Sequence, residues 1–422
     1  MKKVLRKNHL FLLAIFLVTA PSLFSQVTTA TLSGIVKDAA GAVLPSATVK
    51  VEYPDAGISQ TLVTRSDGRF TVPNLRVGGP YRITVNHVSY QQAVSENIFL
   101  ELGLNNTVEF KLEQKSTEIG GVTVVSRSKI FDDKRTGAST NINNRMIRVL
   151  PTISRSADDY LRLTPSASST YNGLSFAGRN GQYNNFSLDG AVFNNPFGLD
   201  APTPGGQTNA QPISLDAIDQ IQVNIAPYDV TQAGFTGAGV NTVTKSGSNT
   251  ITGTAYAFYR NQSLTGKKVE NTKLTVPDLK QLQVGAALGG PILKNKLFYF
   301  LSFETEQRSD EATAYVARNA SNVGKPTTSR VLEQDLIDVS NILRTRFGYE
   351  TGPYQGFIHD QTNYKWLAKL DWNISEVHKL SITYNASMRV KTNRRIPAPL
   401  DRVSPIIPHF NSGTQDTRSS IN

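Results

Sequence analysis

Residues 364–373, with the sequence YKWLAKLDWN, alternate between apolar side chains and charged or polar ones, with Leu367 as the exception. Because successive side chains of a strand point to opposite faces, this pattern separates the two kinds of residue. Trp366, Ala368, Leu370 and Trp372 share one face, and Lys365, Lys369 and Asp371 share the other. A basic side chain near the middle of a bilayer costs about 2–4 kcal/mol, so the apolar face is expected to meet lipid and the charged face the lumen. The stretch therefore predicts one wall strand of a transmembrane β-barrel.

Neighbouring segments extend this wall in both directions. Residues 379–390 alternate in the same way after the turn at residues 374–378, which indicates a hairpin. Similar runs begin at Ile251, Leu282 and Leu297. Short turns such as residues 289–296 are expected on the periplasmic side, and the long polar stretch 304–363 outside, with a helix from Ser329 to Arg346. The alternative interpretation of these strands is a second, soluble β-sandwich instead of a barrel.

The number of wall strands is small. We count about five after Lys245, whereas a closed bacterial barrel needs at least about eight. An open sheet edge cannot persist in lipid, because each unpaired backbone group costs several kcal/mol. Residues 250–422 are therefore expected to be a partial barrel, and the chain a fragment of a longer protein.

The N-terminus carries an export signal. Four basic residues lie within the first seven positions, and an apolar run from Leu10 to Ala20 follows them. This run is about half the ~20 residues that span a bilayer as a helix, which favours a cleaved signal peptide at residues 1–25. Cleavage is expected after Ser25, with Ala20 as the second choice. An uncleaved anchor is the alternative. Export together with barrel strands predicts the bacterial outer membrane, with the N-terminal domain in the periplasm.

Composition argues against several other classes of protein. The chain has no Cys, which excludes a lipoprotein, disulfides and thiolate metal sites. Its net charge of +11 is scattered along the sequence, which disfavours a nucleic-acid-binding protein. The sequence SRSK at residues 126–129 fits S-x-x-K but ends a β-branched run, whereas that nucleophile must begin a helix. We therefore expect no enzyme, no catalytic residue, no cofactor and no bound metal.

Residues 30–112 consist of short alternating runs separated by turns that contain Asp-Gly or Pro, which predicts a small antiparallel β-sandwich. Its expected core is Leu32, Ile35, Val49, Val51, Phe70, Leu75, Tyr81, Ile83 and Val85. The motif GIVKDAAGAVLPSATV at residues 34–49 and DGRF at residues 67–70 resemble the carboxypeptidase-regulatory-like domain. This resemblance implies no peptidase here, because H-x-x-E and HExxH are absent.

Residues 113–129 form a polar linker that contains one short, mainly apolar run. A short run of β-branched residues after an acidic group can add itself as an edge strand to a partner's sheet. This run is similar to a TonB box, the segment that the energy-transducing protein TonB binds. Alternatively, it is an ordinary first strand of the next domain. The candidate residues are Glu118, Ile119, Val122, Thr123, Val124 and Val125.

Residues 130–245 contain a short amphipathic helix from Ala157 to Leu163, followed by glycine- and asparagine-rich segments. The elements GRNGQYNNFSLDG at residues 178–190 and GAGVNTVTKSG at residues 237–247 resemble the plug domain of TonB-dependent outer-membrane receptors. The likeness is to the Oar-like branch, in which NIAPYDVTQAGFTGAGVN, at residues 224–241, replaces the Arg-Gly-Pro turn of siderophore receptors. Candidate structural or ligand-facing residues are Arg179, Asn180, Asn184, Asn185 and Asp189.

The expected fold class is therefore mainly β: a signal peptide, a β-sandwich, an α+β plug and the first strands of an antiparallel barrel. The resemblance implies a receptor that imports an extracellular ligand, with energy supplied through TonB. Expected partners are TonB, outer-membrane lipid, that ligand and a surface lipoprotein that caps the barrel. The alternative function is a structural or adhesive outer-membrane protein without active transport.

Overall fold

The computed structural model describes residues 28–115, 138–170, 173–195, 203, 211–227, 232, 234–273, 276–311, 315–325, 327–376, 378–392 and 416–421. The predicted signal peptide and the candidate TonB box at residues 118–125 lie outside the described residues. No helix in these ranges is long and apolar enough to cross a membrane.

The N-terminal unit is a two-sheet sandwich of seven strands: β1 (Ala30–Asp38), β2 (Thr48–Tyr53), β3 (Ile58–Val63), β4 (Arg69–Leu75), β5 (Gly78–His87), β6 (Tyr90–Leu100) and β7 (Asn105–Leu112). The sheet orders are β4-β1-β7 and β3-β2-β5-β6. Strand β7 pairs with β1 in parallel, so the sandwich is not wholly antiparallel as expected. Parallel pairing needs a crossover, and the chain makes it through β2–β6.

The core of the sandwich contains the predicted residues with one exception. In β1, Leu32 and Val36 are fully buried together with Gly34, whereas Ile35 is half-buried. Because side chains alternate along a strand, Ile35 lies on the outer face. Its prediction as a core residue was wrong, and Val36 takes that place.

The second unit is a plug built on a five-stranded sheet. Its elements are β8 (Ala138–Asn143), α1 (Asn144–Val149), α2 (Ala157–Leu161), β9 (Ala167–Thr170), β10 (Gly173–Phe176), β11 (Asn185–Leu188), β12 (Ala191–Val192), β13 (Ile218–Ile225) and β14 (Ala238–Thr244). The sheet order is β12-β11-β14-β13-β8, in which β11 and β14 run parallel and the other pairs antiparallel. Its core includes Tyr160, Phe176, Ile221 and Val223.

The third unit is a curved wall. Its elements are β15 (Thr252–Asn261), β16 (Lys268–Val269), β17 (Thr272–Lys273), β18 (Leu279–Leu293), β19 (Leu297–Glu311), β20 (Val316–Arg318), β21 (Thr328–Leu332), α3 (Glu333–Phe347), β22 (Ile358–Asn373), β23 (Lys379–Thr392) and β24 (Asp416–Ile421). Six of the strands form an antiparallel sheet in the order β15-β18-β19-β22-β23-β24.

The wall has the two faces that the alternation predicts. Lys365 and Lys369 are buried on the side that meets the plug, whereas Trp366, Leu370 and Trp372 are exposed on the other side. Strand β23 continues the exposed face with Ile382, Tyr384, Met388 and Val390. The register of the β22–β23 hairpin places Trp366 beside Ala386 and Leu370 beside Ile382. This exposed face is the lipid face of an outer-membrane wall.

Candidate functional site: the boundary between plug and wall

Asp189 connects the plug to the wall at the end of β11. Within the plug, its carboxylate accepts hydrogen bonds from the Thr244 backbone N (2.8 Å) and hydroxyl (2.5 Å). From the wall, Lys369 Nζ lies 3.5 Å from Asp189 Oδ1, and Thr383 Oγ1 donates to Asp189 Oδ2 at 3.2 Å. All four residues are buried. One carboxylate therefore organises a turn of the plug and also binds two neighbouring wall strands, β22 and β23.

Lys369 reinforces the same contact through a second plug residue. Its ammonium donates to Thr244 Oγ1 at 3.1 Å and to Thr244 O at 3.3 Å. Thr244 is the last residue of β14, so the polar contact falls where the plug sheet ends and the chain turns towards the wall.

A second buried polar network surrounds Glu304 on β19. Lys365 Nζ lies 2.6 Å from Glu304 Oε1. Glu304 Oε2 accepts hydrogen bonds from the Tyr256 hydroxyl at 2.6 Å and from Ser214 Oγ at 3.0 Å. Ser214 belongs to the plug and the other three residues belong to the wall. Glu304 is 1% exposed, so its charge is compensated by these partners and not by bulk solvent.

Arg155 supplies a third contact from the plug. Its guanidinium pairs with Asp216 of the plug. It also lies over two aromatic rings of wall strand β15, 3.9 Å from the Phe258 centroid and 4.8 Å from the Tyr256 centroid. A cation over an aromatic face gains about 0.5–2 kcal/mol, depending on how far it is desolvated.

Apolar contacts across this boundary are few among the described residues. In the plug's core cluster, the buried members that come from the wall are Ala287, Phe300 and Leu367. Polar groups can exchange a protein partner for water at a net difference of about 0.5–1.5 kcal/mol per hydrogen bond. The described contacts across the boundary are thus mainly polar.

The structure separates the five plug residues singled out from the sequence into two groups. Asn184 Nδ2 donates to Leu174 O (2.8 Å), and its Oδ1 accepts from Ala238 N (3.0 Å). Asn185 Oδ1 accepts from Asn194 Nδ2 at 2.8 Å. These two residues and Asp189 are buried. The contacts described above join Asn184 and Asn185 to other plug residues, and Asp189 to residues of both plug and wall.

Arg179 and Asn180 are exposed in the loop between β10 and β11. Asn180 Oδ1 accepts from Gln182 N at 3.0 Å and begins a short 3-10 turn, residues 181–183. Tyr183 in the same turn is 59% exposed. Of the five, Arg179 and Asn180 are therefore the ones whose position leaves them accessible to a ligand, and that role stays a prediction.

Sequence reasoning did not pair Lys369, Lys365 or Glu304 with plug residues. The signal that could have found them is the position of charged residues on the lumen face of wall strands, because a buried charge needs a partner. Ser214 and Arg155 carried no such signal, since they lie in irregular segments of the plug. Among the described residues, no group of three or more acidic or histidine side chains could hold a metal ion.

Two family models match parts of the chain. Residues 31–113 match the carboxypeptidase regulatory-like domain, and residues 243–341 match an outer membrane beta barrel domain. Over 92% of its length, the chain is 26% identical to the TonB-dependent transporter Oar of Myxococcus xanthus. It spans about a third of that relative, 36% of its length.

Solved structures with a similar arrangement include two siderophore receptors. The receptor PirA of Acinetobacter baumannii is 18% identical, with a TM-score of 0.41 over 60% of this chain and 32% of its own. A mutant of the ferric enterobactin receptor PfeA of Pseudomonas aeruginosa is 15% identical, with a TM-score of 0.42 over 61% of this chain and 34% of its own.

Proposed function

We propose that this chain, an outer-membrane relative of the TonB-dependent transporter Oar, forms the front part of a longer receptor that imports a ligand through a plugged barrel. An extracellular ligand binds the exposed plug loop and the outer loops of the wall. TonB then grips residues 118–125 and pulls. The plug separates from the wall and opens a path into the periplasm, with energy drawn from the inner membrane.

The observation that carries this proposal is the polar boundary between plug and wall. Asp189, Ser214 and Arg155 leave with the plug, whereas Lys369, Glu304 and Tyr256 remain in the wall. Each plug group can exchange its wall partner for water. A plug joined to the wall by a continuous apolar core would instead expose that core on opening, at about 25 cal/mol per Å² of apolar surface.

The experiment deletes residues 118–125 in the full-length protein. The matched control deletes residues 126–133, a segment of the same length that follows directly in the chain. We expect both proteins to reach the outer membrane, and only the control to bind the periplasmic domain of TonB. Equal TonB binding by both deletions would contradict the proposal.

A second measurement separates transport from a structural or adhesive role. The full-length protein is expected to support saturable ligand accumulation that a protonophore abolishes. Deletion of residues 118–125 is expected to abolish it as well. TonB binding without any such accumulation would instead support the structural or adhesive alternative.

A further inference from the structure

The N-terminal sandwich contacts the plug through the loop that follows β6. Gln220 Nε2 donates to Leu100 O at 3.1 Å, and Leu102 N donates to Gln220 Oε1 at 2.9 Å. Gln222 Nε2 donates to Leu102 O at 2.9 Å. Gly103 has a φ of +64°, and a Cβ there would lie 2.6 Å from the Gln222 amide atoms. The loop therefore lies directly against strand β13 of the plug.

The same sandwich contacts the wall through residues 54–57, between β2 and β3. Asn249, just before β15, donates from its backbone N to Asp55 O at 2.7 Å. Asn373, at the end of β22, donates from Nδ2 to Ala56 O at 3.0 Å. Gly57 lies so close to the β18–β19 turn that a Cβ on it would be 2.4 Å from the Asn295 backbone. Three separate connections of the wall thus meet one short segment of the sandwich.

Arg76 lies where the three units meet. Its guanidinium donates to Ser246 O at 3.1 Å and to Gly247 O at 3.0 Å, in the segment that leads from the plug to the wall. It also lies 5.8 Å from the ring centroid of Tyr53. Burial raises the pKa of the nearby plug residue Asp219, and the charge of Arg76 opposes this shift. Arg76 and Asp219 are both half-buried, so the junction is partly shielded from water.

We propose that the sandwich is a periplasmic brace that holds the plug closed by binding plug and wall at once. A folded unit attached to two bodies resists their relative movement until one set of contacts breaks. The plug cannot leave the wall while residues 54–57 and the loop after β6 both stay bound. This inference rests on the proposed function, because it assigns the sandwich a step in opening the same plug.

The sequence order supplies the means of release. The candidate TonB box follows the last sandwich strand and precedes the first plug strand, β8. A force applied to the linker at residues 113–129 therefore acts on the sandwich and on the plug together. Detachment of the sandwich from the wall turns precedes movement of the plug, so the brace sets part of the force that opening requires.

The first test joins the sandwich to the wall by a disulfide, called the staple below. The backbone hydrogen bond from Asn249 N to Asp55 O, 2.7 Å long, makes this pair the choice for a disulfide, which needs Cα atoms about 4.4–6.8 Å apart. The 422 residues contain no cysteine, so a D55C/N249C pair introduces the only two in this region. The full-length protein is reconstituted into vesicles that contain a fluorescent dye, and dye release is followed as urea increases.

The oxidised D55C/N249C protein is expected to release dye at higher urea than the same protein after reduction. Each single-cysteine variant is expected to behave identically with and without reductant. Release at the same urea concentration in the oxidised and reduced states would overturn the proposal. Because each protein is compared with itself, a general folding defect cannot produce the difference.

The second test weakens the brace. The variant R76A removes the contact of the sandwich with residues 246–247, which lead from the plug to the wall. The variant Q220L removes contacts of the sandwich with the plug. Each is expected to release dye roughly tenfold faster at a fixed, subdenaturing urea concentration, the factor that loss of one or two hydrogen bonds implies. The matched control is R82A, whose partner Glu96 lies within the sandwich. Release from R76A and Q220L at the rate of R82A would overturn the proposal.

Neither test needs a ligand or TonB. If TonB-dependent accumulation is absent but the staple still delays dye release, the proposed transport fails and the brace stands. If accumulation is present and dye release is unchanged by the staple and by both weakening variants, the brace alone fails.

Discussion

Asp189 directly follows strand β11 and has partners on both sides of the boundary between plug and wall. Its backbone φ of +46° places it in the left-handed region, where Asp and Asn are better tolerated than most side chains. The following Gly190 also has a positive φ, so the chain turns sharply and directs the carboxylate towards Thr244 and Lys369. A single turn thus fixes the group that joins the two units.

Substitution of Asp189 is expected to loosen the plug. In D189A, the Lys369 ammonium stays buried without its carboxylate, a change that typically costs 3–5 kcal/mol. In D189A/K369M, no buried charge is left, so the loss is expected to be clearly smaller than in D189A. Hydrogen exchange at residues 238–244 of the full-length protein measures the free energy of opening in each variant. Equal protection in D189A and D189A/K369M would show that the ion pair does not join plug and wall.

At the level of elements, residues 304–311 and 358–363 were expected outside the wall but belong to β19 and β22, whereas alternation identified the two faces of the wall strands correctly. The reason is physical: lipid and lumen impose opposite polarity on neighbouring residues, so the pattern is local and strong. Strand β22 illustrates this, because its lumen-facing Lys365 and Lys369 are buried and its Trp366 and Trp372 are exposed. The sandwich at residues 30–112 was expected to be antiparallel, but the parallel pairing of β7 with β1 depends on a crossover that no local pattern records.

Helix boundaries were predicted less well. The helix expected from Ser329 begins at Glu333, because residues 328–332 form β21 and pair with β20. It ends at Phe347, one residue after the expected Arg346, with Gly348 in the left-handed conformation at φ +60°. The contacts of Glu304 with Ser214 were not predictable, since they join segments 90 residues apart.

The lipid face of β23 permits a depth test. Ala386 lies near the middle of the strand, whereas Leu380 is its second residue, next to the turn at residues 374–378. Arg at the middle of a transmembrane strand costs about 2–4 kcal/mol, and near an interface about 0–1 kcal/mol. A386R is therefore expected to destabilise the full-length protein by at least about 1 kcal/mol more than L380R, as measured by urea unfolding in vesicles. Equal losses would mean that this face does not meet lipid.

For the whole molecule, three units follow one another along the chain and also contact one another in space. The sandwich binds wall turns through Asp55 and Ala56, and the plug binds inner wall strands through Asp189 and Ser214. The covalent order places the linker with residues 118–125 between the sandwich and the plug. Force applied there acts on both units before it reaches the wall, which agrees with a receptor that opens from the periplasmic side.

The last prediction concerns the two edges of the wall. Its six-stranded sheet has β15 at one edge and β24 at the other, and the described residues provide no further strand to join them. In lipid, every unpaired backbone group at such an edge costs several kcal/mol. A protein that ends at Asn422 is therefore expected to give no heat-modifiable, protease-resistant band when it is exported to the outer membrane. The longer receptor proposed above, expressed at the same level, is expected to give that band, because in that proposal further strands pair with β15 and β24. A folded band from the shorter protein would mean that the six strands close by themselves or by pairing with a second copy, and the single-chain barrel proposed for this receptor would then be wrong.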